Sequence, residues 1–370
     1  MNNKSNFSGK AVYLLILVFL AYGQSYAQIS SSANFIKGGK DDAVKIISAY
    51  LLPVERALCF NGANNNMLLF KSNKTTDLNF GISLNLTSSF VNSDDYTYDA
   101  SKFNLTEFEA KDPNKTIAQT VAGNESTIVL QTKDKYRVPT QTYPFYKEEP
   151  ILTLNSPEGT NATAIQLAVF NMFIEKQGNL IDIKILPPFK IPSKSLGLFN
   201  IGVNLQHNLE TSLKFMSDFW FDMYISVGYN YNKITNYLDV KPEETYLTFS
   251  PSSDNGPYDN QEILIHSVSI PFKLFIVKQL HNFSFALGSG YNLTNSKVEM
   301  IGKYPVYQAD PSNTFQIIVT DIEDPFQYTR DFNKISLDIG VNYRIKHFSA
   351  GLKYTYSYYK NIDLSLGFLF

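Results

Sequence analysis

Alternation of apolar and polar residues with a period of two runs through most of the chain and is strongest in its C-terminal half. Between Phe219 and Asn232 one face carries Phe219, Phe221, Met223, Ile225, Val227, Tyr229 and Tyr231, while the other carries small and polar residues such as Ser226, Gly228 and Asn230. Such a segment predicts a strand with one greasy face. The same pattern predicts strands over 335–345, 348–358 and 362–370, and in less regular form near 78–90, 164–174, 178–187, 197–209, 263–277 and 283–293. That makes ten, with weaker candidates at 59–71 and 126–132.

The clearest of these segments are about 9 to 14 residues long, the length a tilted strand needs to cross a bilayer. The connections between them sort by length. Joins at 175–177, 210–218, 278–282 and 346–347 are short, whereas 91–163, 232–262 and 294–331 are long, polar and broken by Pro, Asn and Asp. The joins 188–196 and 359–361, on the long side, are short as well. This layout predicts an all-β, antiparallel, up-and-down transmembrane barrel of about 10–14 strands with long loops at one end. Counting 59–71 as a spanning strand would give an odd number, so either it is not embedded or another strand hides in the N-terminal third. A soluble β-sandwich is the alternative fold.

The first residues differ from the rest. Lys4 and Lys10 precede an apolar run from Ala11 to Tyr22, followed by the small residues Ser25 and Ala27. This is the order of a secretory signal peptide, and the run is too short for a spanning helix. The expected organisation is therefore a signal peptide over 1–27, an N-terminal segment with one helix over 28–58, and the barrel over 59–370. That helix is predicted at 41–54 (DDAVKIISAYLLPV), capped by Asp41 or Asp42, with Val44, Ile47 and Leu51 on one face and Pro53 limiting its end. It could fill the lumen as a plug or lie on the periplasmic rim.

Charge narrows the partners. With 32 basic and 34 acidic residues the net charge is −2, which leaves no basic excess to neutralise a phosphate backbone, so nucleic acid is not an expected partner. Cys59 is the only cysteine and is read as a small buried apolar residue. No spacing typical of a metal site, nucleotide loop or nucleophile elbow occurs; Gly288-Ser289-Gly290 is read instead as lumen-facing glycine within a strand. No cofactor is expected. Acidic loop clusters at Asp94, Asp95 and Asp99, at Glu243 and Glu244, and at Asp321, Glu323 and Asp324 are read as solvated charge rather than calcium ligands.

An enzyme is not expected either, because the four histidines, His207, His266, His281 and His347, read as structural or interfacial; a hydrolase would have to use His207 or His266 as its base. Two features carry mechanism. Leu366, Phe368 and Phe370 end the chain in phase and resemble the C-terminal strand read by the bacterial barrel-assembly machinery. Tyr354, Tyr356, Tyr358 and Tyr359, with Tyr229, Tyr231 and Tyr237, are placed for an interfacial aromatic girdle.

The segments GGKDDAVKIISAYLLP (38–53), PTQTYPFYKE (139–148) and LPPFKIPSKSLGLFNIGVNLQHNLETSLKF (186–215) resemble an uncharacterised family of predicted outer-membrane β-barrel proteins of Bacteroidetes. The resemblance implies a fold and a location but no substrate. The expectation is an exported outer-membrane barrel, in contact with lipid, acting as a channel or transporter for small compounds, hydrophobic ones included. Lumen-facing Asp222, Asp338, Arg344 and Lys353 would tune what enters. The alternative is a structural barrel that docks onto an envelope protein complex.

Overall fold

A computed structural model describes residues 40–64, 78–124, 127–133, 137–142, 145–150, 153–157, 164–177, 179–191, 196–213, 219–242, 258, 260–310 and 313–370. The signal peptide assigned to 1–27 lies outside the described residues, as do Glu243 and Glu244.

Ten antiparallel strands build the wall: β1 (Asn79–Phe90), β2 (Ala164–Lys176), β3 (Asn179–Ile191), β4 (Leu196–Asn208), β5 (Asp222–Tyr237), β6 (Glu262–Leu280), β7 (Phe283–Ile301), β8 (Lys334–Ile345), β9 (Phe348–Tyr356) and β10 (Lys360–Leu369). Each pairs with the next in sequence, and β10 returns to pair with β1 from Gly81↔Leu369 to Phe90↔Lys360, so the sheet closes with no free edge. Closure satisfies every backbone ladder within the protein, which a strand in hydrocarbon requires. Three of the four joins at the end where β1 begins, 177–178, 281–282 and 346–347, are two residues long and the fourth spans 209–221, whereas 91–163, 238–261 and 302–333 leave from the opposite, loop end.

The alternation dictates two different walls. On the outside every strand presents exposed apolar side chains, among them Ile82, Met172, Ile201, Leu274, Ile339 and Leu366. A continuous exposed apolar band of this size marks a surface built for lipid or for another protein. The lumen side carries the opposite set. Gly288 faces inward there because the Phe275 ring takes its place: a Cβ at Gly288 would lie 2.4 Å from that ring.

The weak candidates are not part of the wall. Val129–Thr132 is a short strand in a three-stranded loop sheet with Phe108–Ala110 and Thr153–Asn155. Residues 59–64 are helical, and 65–77 lie outside the described residues. Two helices stand where one was expected, α1 (Lys40–Tyr50) and α2 (Leu52–Asn64). Pro53 does not end a helix; it occupies the first turn of α2, where its missing N–H removes no helical hydrogen bond.

Candidate functional site

α2 lies inside the barrel. It packs against β1, β2, β5, β6, β7 and β10, and its buried residues include Val54, Leu58, Cys59, Phe60 and Ala63. The helix predicted over 41–54 is chiefly α1, which lies against the loop segment 92–124 through Asp42 and Tyr50, whereas the helix inside the barrel, α2, consists mostly of residues beyond that prediction. Helices and wall together fill the interior in three layers.

The loop-end layer is apolar. Ile46, Ile47, Tyr50, Val54 and Leu58 from the helices meet inward-facing Ile165, Leu167, Leu198, Ile234, Ile263 and Met300 from the wall. Burial of such side chains contributes about 1.5–3 kcal/mol each. This layer therefore holds the helices in place.

The middle layer is charged. Lys273 Nζ donates to Asp338 at 3.0 and 3.1 Å and to Asn64 Oδ1 at 2.8 Å. Lys353 donates to the Asn64 carbonyl and lies 3.3 Å from Asp363. Two lysines thus meet the C-terminal end of α2, where unsatisfied carbonyls concentrate negative potential. Asp338 also accepts from the Thr355 hydroxyl, and Asp182 accepts from the Asn171 amide at 2.8 and 2.9 Å.

The layer at the short-turn end holds two apolar clusters, Phe173, Leu180 and Leu369, and Tyr224, Phe275, Val277 and Ala286. Arg344 donates to Glu175 at 2.8 Å. Their strands, β8 and β2, are separated by three others, so the pair bridges the lumen. Asp222 stands at this end on the same strand face as Tyr224. All four residues singled out from the sequence, Asp222, Asp338, Arg344 and Lys353, point to the lumen side. Asp338 and Lys353 come together at the end of α2, and Arg344 and Asp222 do not join them.

The wall also grips α2 along its length through polar groups. Asn232 Nδ2 donates to the Leu58 carbonyl at 3.3 Å, Ser269 Oγ to the Cys59 carbonyl at 2.7 Å, and Asn61 Nδ2 to the Ile165 carbonyl at 3.1 Å. Gly62 allows this approach: a Cβ there would lie 2.6 Å from Asn232 Nδ2 and 3.1 Å from Ser269 Oγ.

At the loop end, side chains latch the helices to the loops. Arg56 pairs with Asp95 at 2.5 Å and stacks over the Tyr358 ring at 4.0 Å, and Tyr359 Oη donates to the other Asp95 oxygen at 2.6 Å. Tyr358 and Tyr359 therefore leave the expected girdle, because the tight turn after β9 folds them over the mouth; Tyr354, Tyr356 and Tyr229 remain on the outer wall. Tyr328 Oη donates to Glu55 Oε1 at 2.9 Å, and Arg330 donates to the Ser48 carbonyl at 2.8 Å. Burial pushes the Glu55 carboxyl up, against the opposing pull of Arg330 and Tyr328.

Asp42 is no helix cap. It is fully buried and accepts backbone N–H bonds from Thr106 and Glu107 at 2.8 Å and from Phe108 at 2.9 Å. Burial alone would raise its carboxyl, but these three bonds and Lys45 outweigh burial and hold it below the usual range.

The acidic cluster at 321–324 also has protein partners. Asp321 pairs with Lys303 at 2.8 Å and accepts from Tyr258 at 2.7 Å, and Asp324 accepts from the Gly302 N–H at 2.9 Å.

Of the histidines, His266 faces outward between Tyr231 Oη (2.6 Å) and Glu299 (3.1 Å). His281 and His347 lie in short turns. His207 lies at the short-turn rim, with Asn179 Oδ1 2.6 Å from Nδ1 and Ser212 Oγ 2.7 Å from Nε2.

Sequence reasoning passed over Lys273, Lys184 and Asp182. Their phase was available: a lone charge among Phe272, Leu274 and Ile276, or between Ile181 and Ile183, belongs on the lumen side of a spanning strand.

Among solved structures the chain is similar to the translocator domain of autotransporter NalP from Neisseria meningitidis. The identity is 9%, the coverage 87% of this chain and 96% of that one, and the TM-score 0.26. It is similar at 10% identity to the outer-membrane protease OmpT of Escherichia coli, covering 83% and 100% with a TM-score of 0.26. For the outer-membrane transporter YddB of Escherichia coli the identity is 11%, the coverage 76% and 40%, and the TM-score 0.26. No curated protein sequence matches the chain. The model of a family of unknown function, DUF6588, matches residues 9–370.

Proposed function

Taking as premise that the chain belongs to DUF6588, a family of unknown function, we propose that it is an outer-membrane β-barrel conduit for small compounds, closed at rest by α1 and α2. The exposed apolar band sits in the bilayer, the long loops face outward, and the short turns face the periplasm. Leu366, Phe368 and Phe370 form the stretch that the assembly machinery reads.

The observation that carries the gate is the pairing at the end of α2. Lys273 and Lys353 each hold a wall carboxylate, Asp338 and Asp363, as well as Asn64. If α2 withdraws, both lysines keep a counter-charge, and no isolated buried ion is left behind. A lumen whose outer half is lined by Ile165, Leu198, Ile234 and Ile263 then suits solutes with an apolar body.

A second reading, a barrel that docks onto other envelope proteins, is favoured by the loop cap. Residues 92–124 fold onto α1 as a built surface, through Asp42 and a backbone bond from Val121 N–H to the Tyr50 carbonyl at 3.1 Å.

Planar-bilayer conductance of Arg56→Ala tests the choice, with thiol labelling of buried Cys59 as an independent report of plug movement. The conduit reading expects labelling and conductance to rise together. Labelling that rises while the bilayer stays silent would remove the conduit and leave the docking barrel.

A further inference from the structure

Three side chains at the short-turn rim of the outer wall form an arrangement that neither plug nor lumen uses. Asn179 opens β3 and His207 stands near the end of β4; the register that sets Leu180 opposite Gln206 makes the two cross-strand neighbours. Both are in phase with exposed Ile181 and Leu205, so both face outward. After β4 the chain makes one turn of 3-10 helix, Leu209–Thr211, whose first turn is capped by Asn208 Oδ1 accepting from the Glu210 N–H at 2.9 Å. That turn brings Ser212 back over the imidazole.

Ser212 Oγ lies 2.7 Å from His207 Nε2, and His207 Nδ1 lies 2.6 Å from Asn179 Oδ1. The Asn208 backbone N–H also points at Oδ1, at 3.4 Å. Because that N–H can only donate, it favours the oxygen as the amide atom it meets, an arrangement that suits the imidazole proton on Nδ1. Nε2 then offers its lone pair to the Ser212 hydroxyl. Nucleophile, base and orienting group stand in the sequence and at the distances that acyl transfer uses.

Ser212 is exposed, so an incoming carbonyl can reach it. Beside it a concavity of about 900 Å³ is lined mainly by the outward Ile174, Ile181, Leu205, Ile225 and Phe272, with Asn179 and His207 themselves at its border, and it also reaches lumen-side residues such as Leu180 and Lys273. Lys176, the register partner of Asn179, lines the same concavity and supplies positive charge at its rim.

We propose that this rim is a serine ester hydrolase site for amphipathic acyl esters, with the acyl chain along the apolar concavity and the ester carbonyl at Ser212. It draws on the seat of the barrel in a bilayer and not on gating of the lumen. Ser212 Oγ adds to the carbonyl carbon while His207 Nε2 takes the hydroxyl proton. The tetrahedral adduct expels the alcohol, which leaves with that proton. Water, deprotonated by His207, then cleaves the acyl-serine ester, releasing the carboxylic acid and restoring Ser212. The net reaction consumes one ester and one water and yields one alcohol and one acid. Asn179 is a positioning residue, because it acts through the imidazole.

The test uses the full chain in non-ionic detergent, with its fold checked by the heat-dependent gel shift. A fluorophosphonate probe is added and the adduct located by mass spectrometry, and hydrolysis of a medium-chain umbelliferyl ester is followed in parallel. The expected result is an adduct on Ser212 in the unaltered chain and ester turnover that vanishes in Ser212→Ala. His207→Ala lowers kcat by about 10²–10⁴-fold. Asn179→Ala lowers kcat without raising KM, and Asn179→Asp restores it. An unmodified Ser212, or turnover in a folded Ser212→Ala equal to that of the parent, overturns the proposal. Labelling is read on the unaltered chain, so a folding defect in a variant does not blunt the test.

Discussion

Replacing Gly62 with alanine should loosen the plug by an amount the structure allows one to work out. The new Cβ would lie 2.6 Å from Asn232 Nδ2, and that amide cannot simply swing away: it also donates to Ser267 Oγ at 3.0 Å, while its oxygen accepts from Asn200. Overpacking of this kind costs about 2 kcal/mol. The displaced wall weakens the bonds from Asn232 to the Leu58 carbonyl and from Ser269 to the Cys59 carbonyl, at about 1 kcal/mol each. Alanine returns about 1 kcal/mol through its better helix propensity. The seated state should lose about 3 kcal/mol, which raises the unseated population roughly 100-fold. Cys59 makes this measurable, since it is the only thiol and is fully buried on the same helix. Its labelling by a small maleimide at neutral pH, in folded protein, should accelerate by about that factor. An unchanged labelling rate would refute the reasoning and mean that the wall, not the helix, absorbs the added methyl.

Other outcomes follow from the same contacts. Lys273→Met leaves Asp338 in the middle layer with the Thr355 hydroxyl but without its ion pair and should lower the midpoint of the heat-dependent gel shift, by a loss of about 3 kcal/mol; adding Asp338→Leu should recover most of it, and an additive double variant would contradict the pairing. Asp42 has a depressed folded-state carboxyl, so its contribution is fully present above the ordinary value of 3.8 and is lost as pH falls through the folded value. Pepsin cleavage within 104–124 should therefore rise steeply only below pH 3.8, and Asp42→Asn should show raised cleavage by a neutral protease already at pH 7. Phe370→Ser should slow insertion in cells while refolding into detergent stays normal; equal slowing in both would mean that the residue serves the sheet rather than the assembly machinery.

The wall was legible in the sequence because a closed sheet facing lipid on one side and a lumen on the other forces strict alternation. Phase alone places Ile82, Leu274 and Leu366 outside and Asp338 and Lys353 inside. Strand ends were less legible, since β6 and β7 run past the apolar band on polar residues such as Glu262 and Glu299. The plug was harder still. Pro53 reads equally well as a stop or as a first-turn residue, and only the space inside the barrel decides between them. Tyr358 and Tyr359 look like girdle tyrosines until the short turn after β9 points them inward. Asn179, His207 and Ser212 are brought together by a strand register and one turn of helix, and neither is written in spacing.

Ser89 sits on β1 at the line where the first strand meets the last, within hydrogen-bonding reach of Asn61 on α2 (2.6 Å) and of Asn361 on β10. The helices precede every wall strand in the chain, and the strand that completes the ring comes last. One hydroxyl therefore ties the closing seam of the sheet to the helix inside it, so a shift of the seam and a shift of the plug are felt at the same side chain.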